Sequence, residues 1–511
     1  MDGSSGTTER VYTVLFAFSG IGGGALGFQR AEAEFRRLGI RARFRVLGGI
    51  ELDESTARDF ERLTGAPCLV ADVAELTPER LRAFFGDVPD VIVFSPPCKP
   101  ASCLLAVAIA QTEKYRTMAL LGAVFVDLMF AAWPTGPRLL LMENVPRITT
   151  RAPEMMARIR KACRARRFHI HEEAHDLGEL GALAQHRDRL LFVGRRDDVP
   201  TLLYKPVRRK LRTIGEVLEK LPLPGDTKAG RLHQLPAISA LTALRLALIP
   251  AGGDWRDLPS EVHVHPNFAA LLGKSRGPSN RTPFNDVWRV VRWDSPAPCV
   301  TAGAGPSSGG LCVADPRLSA VDPRTLKPSH PHTYGVLPWD KAAHTVTGNT
   351  YPGGGPFSVA DPRITCKTRE NSGIYGVLPW GEPSGTIVGH ACHDNGRFSV
   401  ADPRVAESLA RYPFPVIFAA DGAIHRPLTT LECAALQSFD AFDADGRPFD
   451  LDGSQGACRV KIGDAMPPTA TEAMAVQMLL TLVHADAGVF ALSSGGGVWV
   501  RERAMQRAEM Q

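Results

Sequence analysis

Cys98 closes the stretch Val91-Ile-Val-Phe-Ser-Pro-Pro-Cys98, in which four apolar residues read as the end of a buried strand and Pro96-Pro97 stop it. Proline fixes φ and lacks a backbone N–H, so the pair stiffens the turn that delivers the thiol. A thiol at the lip of a sheet is either a packing residue or a nucleophile aimed into a cleft. Glu143 follows the apolar run Leu139-Leu-Leu-Met142. If the two strands are neighbours, the carboxyl sits beside the thiol, where it can protonate or hydrogen-bond a ring nitrogen. Gln185-His-Arg-Asp-Arg189 precedes another buried run, Leu190-Leu-Phe-Val193. Strand alternation turns Gln185, Arg187 and Arg189 to one side. Arginines of this kind usually end as surface charge; at the start of a buried strand they favour a site.

Phe18-Ser-Gly-Ile-Gly-Gly-Gly-Ala25 follows a strand pattern and opens a helix. The Gly20-x-Gly22-x-x-Ala25 spacing meets the dinucleotide fingerprint, in which glycines let a cofactor approach the backbone. NAD, FAD and S-adenosylmethionine proteins share that spacing, and so do plain strand-to-helix turns. Glu51 ends the next strand and suits ribose hydroxyls. Asp72 takes the place of a third strand end. A helix cap remains the alternative for either acid alone, but a glycine loop with two acids at successive strand ends is a stronger signal than any one of them.

Positioning these groups needs a sheet. Tyr12–Phe18, Phe44–Ile50, Val91–Phe94, Leu139–Met142 and Leu190–Val193 read as strands, with helices over about Ala25–Leu38 and Ser55–Leu63 between the first of them. That alternation predicts an α/β fold with a parallel sheet covered on both faces, and in such sheets ligands sit at the carboxyl ends of the strands. Leu428–Gln437 reads as a helix capped by Thr429 or Thr430, and a long helix follows Pro467-Pro468 to about His484.

The 511 residues are 44% hydrophobic and 22% charged, ordinary globular composition at a length that implies two or more domains. Met118–Trp133 is the longest apolar run, and with Asp127 inside it reads as a buried helix. No secretory signal is visible at the N-terminus. The 10 cysteines form no CxxC pair, which argues against structural zinc and disulfides and fits a cytoplasmic setting. Net charge is +5, but Thr201 to Ala420 alone carries roughly 25 Lys/Arg against 17 Asp/Glu, weak support for a polyanionic partner.

That middle segment is rich in Pro, Gly and Thr and contains an internal repeat. Trp293…Val-Ala-Asp-Pro-Arg317, Trp339…Val-Ala-Asp-Pro-Arg363 and Trp380…Val-Ala-Asp-Pro-Arg404 share one Trp-to-Arg spacing, and the last two are preceded by Tyr-Gly-Val-Leu-Pro. Each unit reads as a β-hairpin, with strands at Thr345-Val-Thr and Phe357-Ser-Val around Gly353–Gly355, packed through Trp and Val. A functional reading adds Arg317, Arg363 and Arg404 as contacts to phosphates or bases.

FSGIGG, SPPC, ENV, QxRxR, the helix at Leu428–Gln437 and IGDAMPP, in that order, resemble the DNA (cytosine-5) methyltransferases along Val11 to Arg196 and about Arg426 to Ala475. The resemblance implies a Rossmann-like S-adenosylmethionine-dependent methyltransferase domain and a second, β-rich target recognition domain containing the repeats. Its implied divisions are 10–200 for the main catalytic part, 201–424 for recognition, 425–490 for the catalytic C-terminal part and 491–511 for a flexible tail. The helix after Pro468 would fold back beside the glycine loop. The recognition region also begins in the family's manner, at Ile249-Pro-Ala-Gly-Gly-Asp-Trp-Arg-Asp-Leu258.

By the same resemblance Cys98 is the nucleophile, with Glu143, Arg187 and Arg189 completing the catalytic set. Cys98 adds to carbon 6 of a flipped-out cytosine, Glu143 acts at N3 and Arg189 at O2. Positive charge nearby is expected to help the thiol ionise. Phe18, Gly20, Ile21, Gly22, Glu51, Asp72, Pro97 and Asp464 would line the S-adenosylmethionine site; Ser102 and Gln185 would join the repeat arginines on DNA; no metal is expected. The implied partners are double-stranded DNA and a companion restriction endonuclease, with no membrane, for a monomeric, cytoplasmic, nucleoid-associated enzyme of bacterium or phage.

Two departures stand out. The family usually continues Gln-Gly-Phe-Ser after the cysteine, whereas this chain has Lys99-Pro100-Ala101-Ser102 and then an apolar Cys103–Ala110. The family commonly has asparagine where Asp464 stands. Two other functions stay open. A tRNA cytosine-5 methyltransferase would use the same chemistry, and Lys99-Pro100 faintly echoes its Gln-Pro-Phe; the large repeat region argues against it. A catalytically silent DNA-binding homologue fits the altered loop but not the intact Cys98, Glu143, Gln185 and Arg189.

Overall fold

The computed structural model describes residues 9–98, 112–199, 206–236, 290–300, 312–317 and 426–488, and beyond these the backbone of short strands only. Its centre is a seven-stranded sheet. The strands are β1 (Arg10–Ala17), β2 (Ala42–Glu51), β3 (Cys68–Val70), β4 (Val91–Phe94), β5 (Leu139–Asn144), β6 (Phe168–Asp176) and β7 (Asp188–Arg196), in the order β3-β2-β1-β4-β5-β7-β6. The helices of the first part are α1 (Gly23–Arg37), α2 (Glu54–Thr64), α3 (Pro78–Phe85), α4 (Glu113–Ala132) and α5 (Pro153–Ala165).

Every residue of β4 is buried, as a strand covered on both faces requires. One face packs Val14, Val91, Val93 and Leu141 against Phe28, Phe35 and Phe60 of α1 and α2. The other packs Ile92, Phe94, Leu140 and Met142 against Leu81, Phe125, Met129 and Ile159 of α3, α4 and α5. Each phenylalanine fully buried here contributes about 1.5–3 kcal/mol. The window Tyr115–Ala132 of α4 is long and apolar enough to cross a membrane, but α4 packs on the sheet through Phe125, Val126, Met129 and Phe130.

The expected parallel sheet is mixed. β7 runs antiparallel to both β5 and β6. The chain between β6 and β7 is a short return through Leu177–Gly181, with no crossover helix to carry it to the other end of the sheet, so β7 must enter reversed. The start of β7 therefore lies at the same end as the finishes of β1, β4 and β5.

The later helices are α6 (Thr430–Leu436), α7 (Gln455–Asp464) and α8 (Pro468–Asp486). Thr429 and Glu432 form a reciprocal capping box on α6. The chain does fold back on the glycine loop. A Cβ at Gly23 would lie 2.1 Å from Met466 O, and Thr471 of α8 donates to Gly23 O at 3.4 Å.

The repeats pair differently from the hairpins expected. Val290–Arg292 lies parallel to Cys312–Ala314, Val336–Pro338 to Ser358–Ala360, and Val377–Pro379 to Ser399–Ala401. In each copy the described partner is the strand before the tryptophan. Trp499–Val500, in the tail expected to be flexible, pairs with Leu203–Tyr204. Ser102, Arg363, Arg404, Thr345-Val-Thr, Gly353–Gly355, Ile249–Leu258 and the Lys99–Ala110 departure lie outside the described residues.

Candidate active site

β4 and β5 are parallel neighbours, pairing Phe94 with Met142, so the chain delivers Cys98 and Glu143 from adjacent strand ends. Ser95 Oγ donates to Glu143 Oε2 at 2.6 Å. Arg189 Nε stands 2.8 Å from Glu143 Oε1, a charge pair in which that buried oxygen accepts no hydrogen bond. Asn144 fixes the proline turn, donating from Nδ2 to Pro96 O at 2.7 Å. Ser95 and Asn144 were not singled out from sequence; the signal was the serine of SPPC and the asparagine of ENV.

Cys98 is half-buried and its thiol is pushed up. Burial is the main cause, then the Asp464 and Glu143 carboxylates, against the weaker opposing pull of Arg189 and Arg187. This corrects the expectation that positive charge would dominate around the thiol. The two arginines are largely committed elsewhere.

Arg187, expected among the catalytic residues, is a buried strut. Its Nη2 donates to Gly463 O at 3.1 Å and Ala465 O at 3.0 Å, and its Nη1 to Val300 O at 3.3 Å and Cys299 Sγ at 3.4 Å. Gln185, expected on DNA, is fully buried. Its Nε2 donates to Leu436 O and Gln437 Oε1, and its Oε1 accepts from Val300 N at 2.9 Å. Both do share one side of the strand with Arg189, but that side faces protein. Arg317 is likewise internal. It forks onto Asp315, donates to Leu218 O at 3.0 Å and stacks over the Trp293 ring at 4.7 Å. Asp315 is shared with the buried Arg426, which also forks onto Glu432.

A small cleft of about 20 Å³ opens beside this site, lined by Phe18, Gly20, Ser95, Asp464 and Met466 among others. Phe18 adopts φ +52°, left-handed backbone that a side chain seldom accepts, at the turn into the glycine loop. Gly20 also has φ +52°, and a Cβ there would meet nothing within 4 Å, so the space above it is open to a ligand. Glu51 Oε2 accepts from Gly20 N at 2.9 Å. Burial raises the Glu51 carboxyl, only partly offset by the N–H groups of Gly20, Leu52 and Asp53. Asp72 accepts from Ala74 N at 2.8 Å. Ile21, expected at the cofactor, is wholly buried in the cluster with Leu431 and Ile462 and anchors the loop from beneath. Gly22 packs toward Thr64, and Pro97 is half-exposed; neither borders the cleft. Among the described residues no His/Cys/Asp/Glu group could hold a metal.

A sheet of this order with a reversed β7, a glycine loop after β1 and an acid ending β2 is the Rossmann-like fold of S-adenosylmethionine-dependent methyltransferases. The family model for C-5 cytosine-specific DNA methylase matches residues 12–229. The type II methyltransferase M1.HphI of Haemophilus parahaemolyticus is 22% identical over 57% of this chain and 70% of its own length. M.Eco47II of Escherichia coli is 24% identical over 60% and 67%. Schizosaccharomyces pombe Dnmt2 methyltransferase superposes with a TM-score of 0.41 at 13% identity, over 94% of this chain and 99% of its own. These matches support a DNA (cytosine-5) methyltransferase family, carried by residues 12–229.

Proposed function

We propose that this chain methylates carbon 5 of a cytosine flipped out of duplex DNA, through a transient bond from Cys98. The Cys98 thiolate adds to carbon 6, and the ring electrons move to carbon 5. Glu143 stabilises the added ring at N3 through Oε1, the oxygen that Ser95 leaves available, and Arg189 holds O2. Carbon 5 takes the sulfonium methyl, and the donor departs as the neutral thioether. A solvent base then removes the carbon 5 proton and the thiolate is eliminated across the 5,6 bond. Unstacking the base costs a few kcal/mol, offset by contacts in the pocket.

The donor fits the cleft by its chemistry. Open space over Gly20 receives the chain of the donor, and Glu51 at the end of β2 suits its ribose. The convergence of Cys98, Glu143, Ser95 and Arg189 beside that cleft carries this reading. On the same reading residues 10–200 and 425–490 form one catalytic unit around a recognition unit at 201–424. The bacterial type II relatives support a cytoplasmic enzyme in a restriction-modification setting; a monomer beside a companion restriction endonuclease completes the reading. Labelled methyl transfer to duplex DNA and to tRNA, with Cys98→Ser as control, tests it. Label in tRNA alone, or DNA binding with no label in either, overturns it.

A further inference from the structure

Arg189 is held from three sides. Its Nε stands 2.8 Å from Glu143 Oε1, its Nη1 donates to Asp188 O at 2.8 Å, and its Nη2 reaches Cys299 Sγ at 4.0 Å. The same sulfur accepts from Arg187 Nη1 at 3.4 Å. Two guanidiniums thus meet on one half-buried thiol. Like charges so placed repel: after burial, Arg189 is the next influence that holds the Arg187 guanidinium below its ordinary value. A polarisable sulfur between the two accepts from both and donates onward to Val300 O at 3.7 Å.

Cys299 reaches this place from the first repeat copy, 110 positions after Arg189. Its segment is stitched to the chain that leads into β7. Ala297 N donates to Ala184 O at 2.7 Å, His186 N to Ala297 O at 3.0 Å, and Val300 N to Gln185 Oε1 at 2.9 Å. Those bonds on either side fix where the sulfur stands. The thiol is also particular to this copy. At the same distance after the repeat tryptophan the second and third copies carry Thr345 and Thr386.

We propose that Cys299 is a positioning residue for methyl transfer: its sulfur sets the Arg189 guanidinium, against Glu143, at the angle that serves O2 of the flipped cytosine. This rests on the reading of the chain as a cytosine methyltransferase with Arg189 at O2. Without the sulfur, Nη2 loses its anchor and Arg189 turns about its bond to Glu143, away from the like charge of Arg187. A catalytic group that loses its aim by a fraction of an ångström costs rate without costing substrate binding. The seat of the first repeat copy beside β7 is thereby carried into the chemical step.

Single-turnover methyl transfer to duplex DNA, at saturating DNA and S-adenosylmethionine, tests this in Cys299→Ala and Cys299→Ser, each alone and combined with Arg189→Lys. Cys299→Ala should lose about tenfold in rate, with donor affinity and Tm close to wild type. Cys299→Ser keeps an acceptor at the γ position and should recover most of that loss. Lysine cannot fork between Glu143 and the sulfur. On the Arg189→Lys background Cys299→Ala should therefore cost less than about twofold, the non-additivity of residues that act through one another. A wild-type rate in Cys299→Ala, the full loss repeated on Arg189→Lys, or a loss that follows a fall in Tm and is not rescued by serine overturns the proposal alone. Arg189→Lys as active as wild type overturns the assignment of Arg189 to O2, and no methyl transfer by the wild-type chain overturns the function proposed; this inference falls with either.

Discussion

Arg187 joins the foot of β7 to Ala465, 278 positions further along the chain, by a 3.0 Å hydrogen bond. Through the same guanidinium it reaches Val300 O in the first repeat copy. Arg187→Ala would leave those carbonyls buried without a donor, and we expect a loss of about 3–5 kcal/mol in denaturant unfolding. Arg187→Lys keeps the charge but cannot fork, so it should fall between. In the protein that remains folded, donor KM should rise more than kcat falls, because the loop that moves lines the cleft proposed for the donor.

Gly20 and Gly23 should separate two kinds of damage. At Gly23 an added Cβ meets Met466 backbone at 2.1 Å, which cannot step aside without undocking the Met466–Pro468 segment. Gly23→Ala should cost several kcal/mol, on the order of an overpacked core, and lower Tm sharply. At Gly20 nothing lies within 4 Å of the new atom, so Gly20→Ala pays only about 1 kcal/mol of left-handed strain. Its effect should appear instead as weaker donor binding in calorimetry.

Much of this site was legible because its residues follow runs that only buried strands explain: Val91–Phe94 before Cys98 and Leu139–Met142 before Glu143. What sequence could not show was direction. The alternation of strands and helices implied a parallel sheet, and in that arrangement Arg189 would begin β7 at the wrong end. The short return after β6 reverses β7 and brings Arg189 to Glu143. Nor could alternation tell inward from outward. Gln185 and Arg187 share a side with Arg189, but which protein lies on that side depends on residues 297–300 and 462–465, far away in sequence. The repeat arginine failed for a similar reason: the Asp-Pro-Arg turn presents Arg317 to its own Asp315 and Trp293.

Because Arg317 is spent internally, Arg317→Ala should not change the salt dependence of DNA affinity, whose slope counts phosphates neutralised at about 0.9 per contact. It should lower Tm, since Leu218 O and Asp315 each lose one donor and Trp293 loses its stacked guanidinium. A slope reduced by about one unit with Tm unchanged would return Arg317 to the DNA surface.

The buried Asp315, Arg426 and Glu432 should make the protein acid-sensitive. Burial by itself would raise both carboxyls, but Arg317 and Arg426 beside Asp315, and Arg426 beside Glu432, outweigh it and hold them below their ordinary values. A depressed carboxyl stabilises the fold above its unfolded value, about 3.9 for Asp and 4.3 for Glu, and loses that contribution as pH falls through the folded value. Stability should therefore be level above about pH 5 and fall below it. Arg426→Met removes the cation and leaves two buried acids, so it should cost about 3–5 kcal/mol at neutral pH and flatten the acid limb.

On the proposed mechanism the raised Cys98 thiol sets the pH dependence of the chemical step. Protonated sulfur does not add to carbon 6, so below the thiol's pKa each pH unit changes the thiolate fraction about tenfold. Single-turnover methylation at saturating DNA and donor should thus climb with pH from the acid side, and a rate independent of pH across that range would remove Cys98 ionisation from the mechanism. Cys98→Ser should lose at least about 10³-fold in rate, because a serine hydroxyl without an adjacent base stays protonated. It should still bind duplex DNA and donor, since neither Pro96 O nor the Glu143–Arg189 pair depends on the sulfur. With 5-fluorocytosine DNA and donor the wild-type chain should be trapped as a covalent adduct on the Cys98 peptide, and the serine variant should not; methylation without such an adduct would exclude the nucleophilic route.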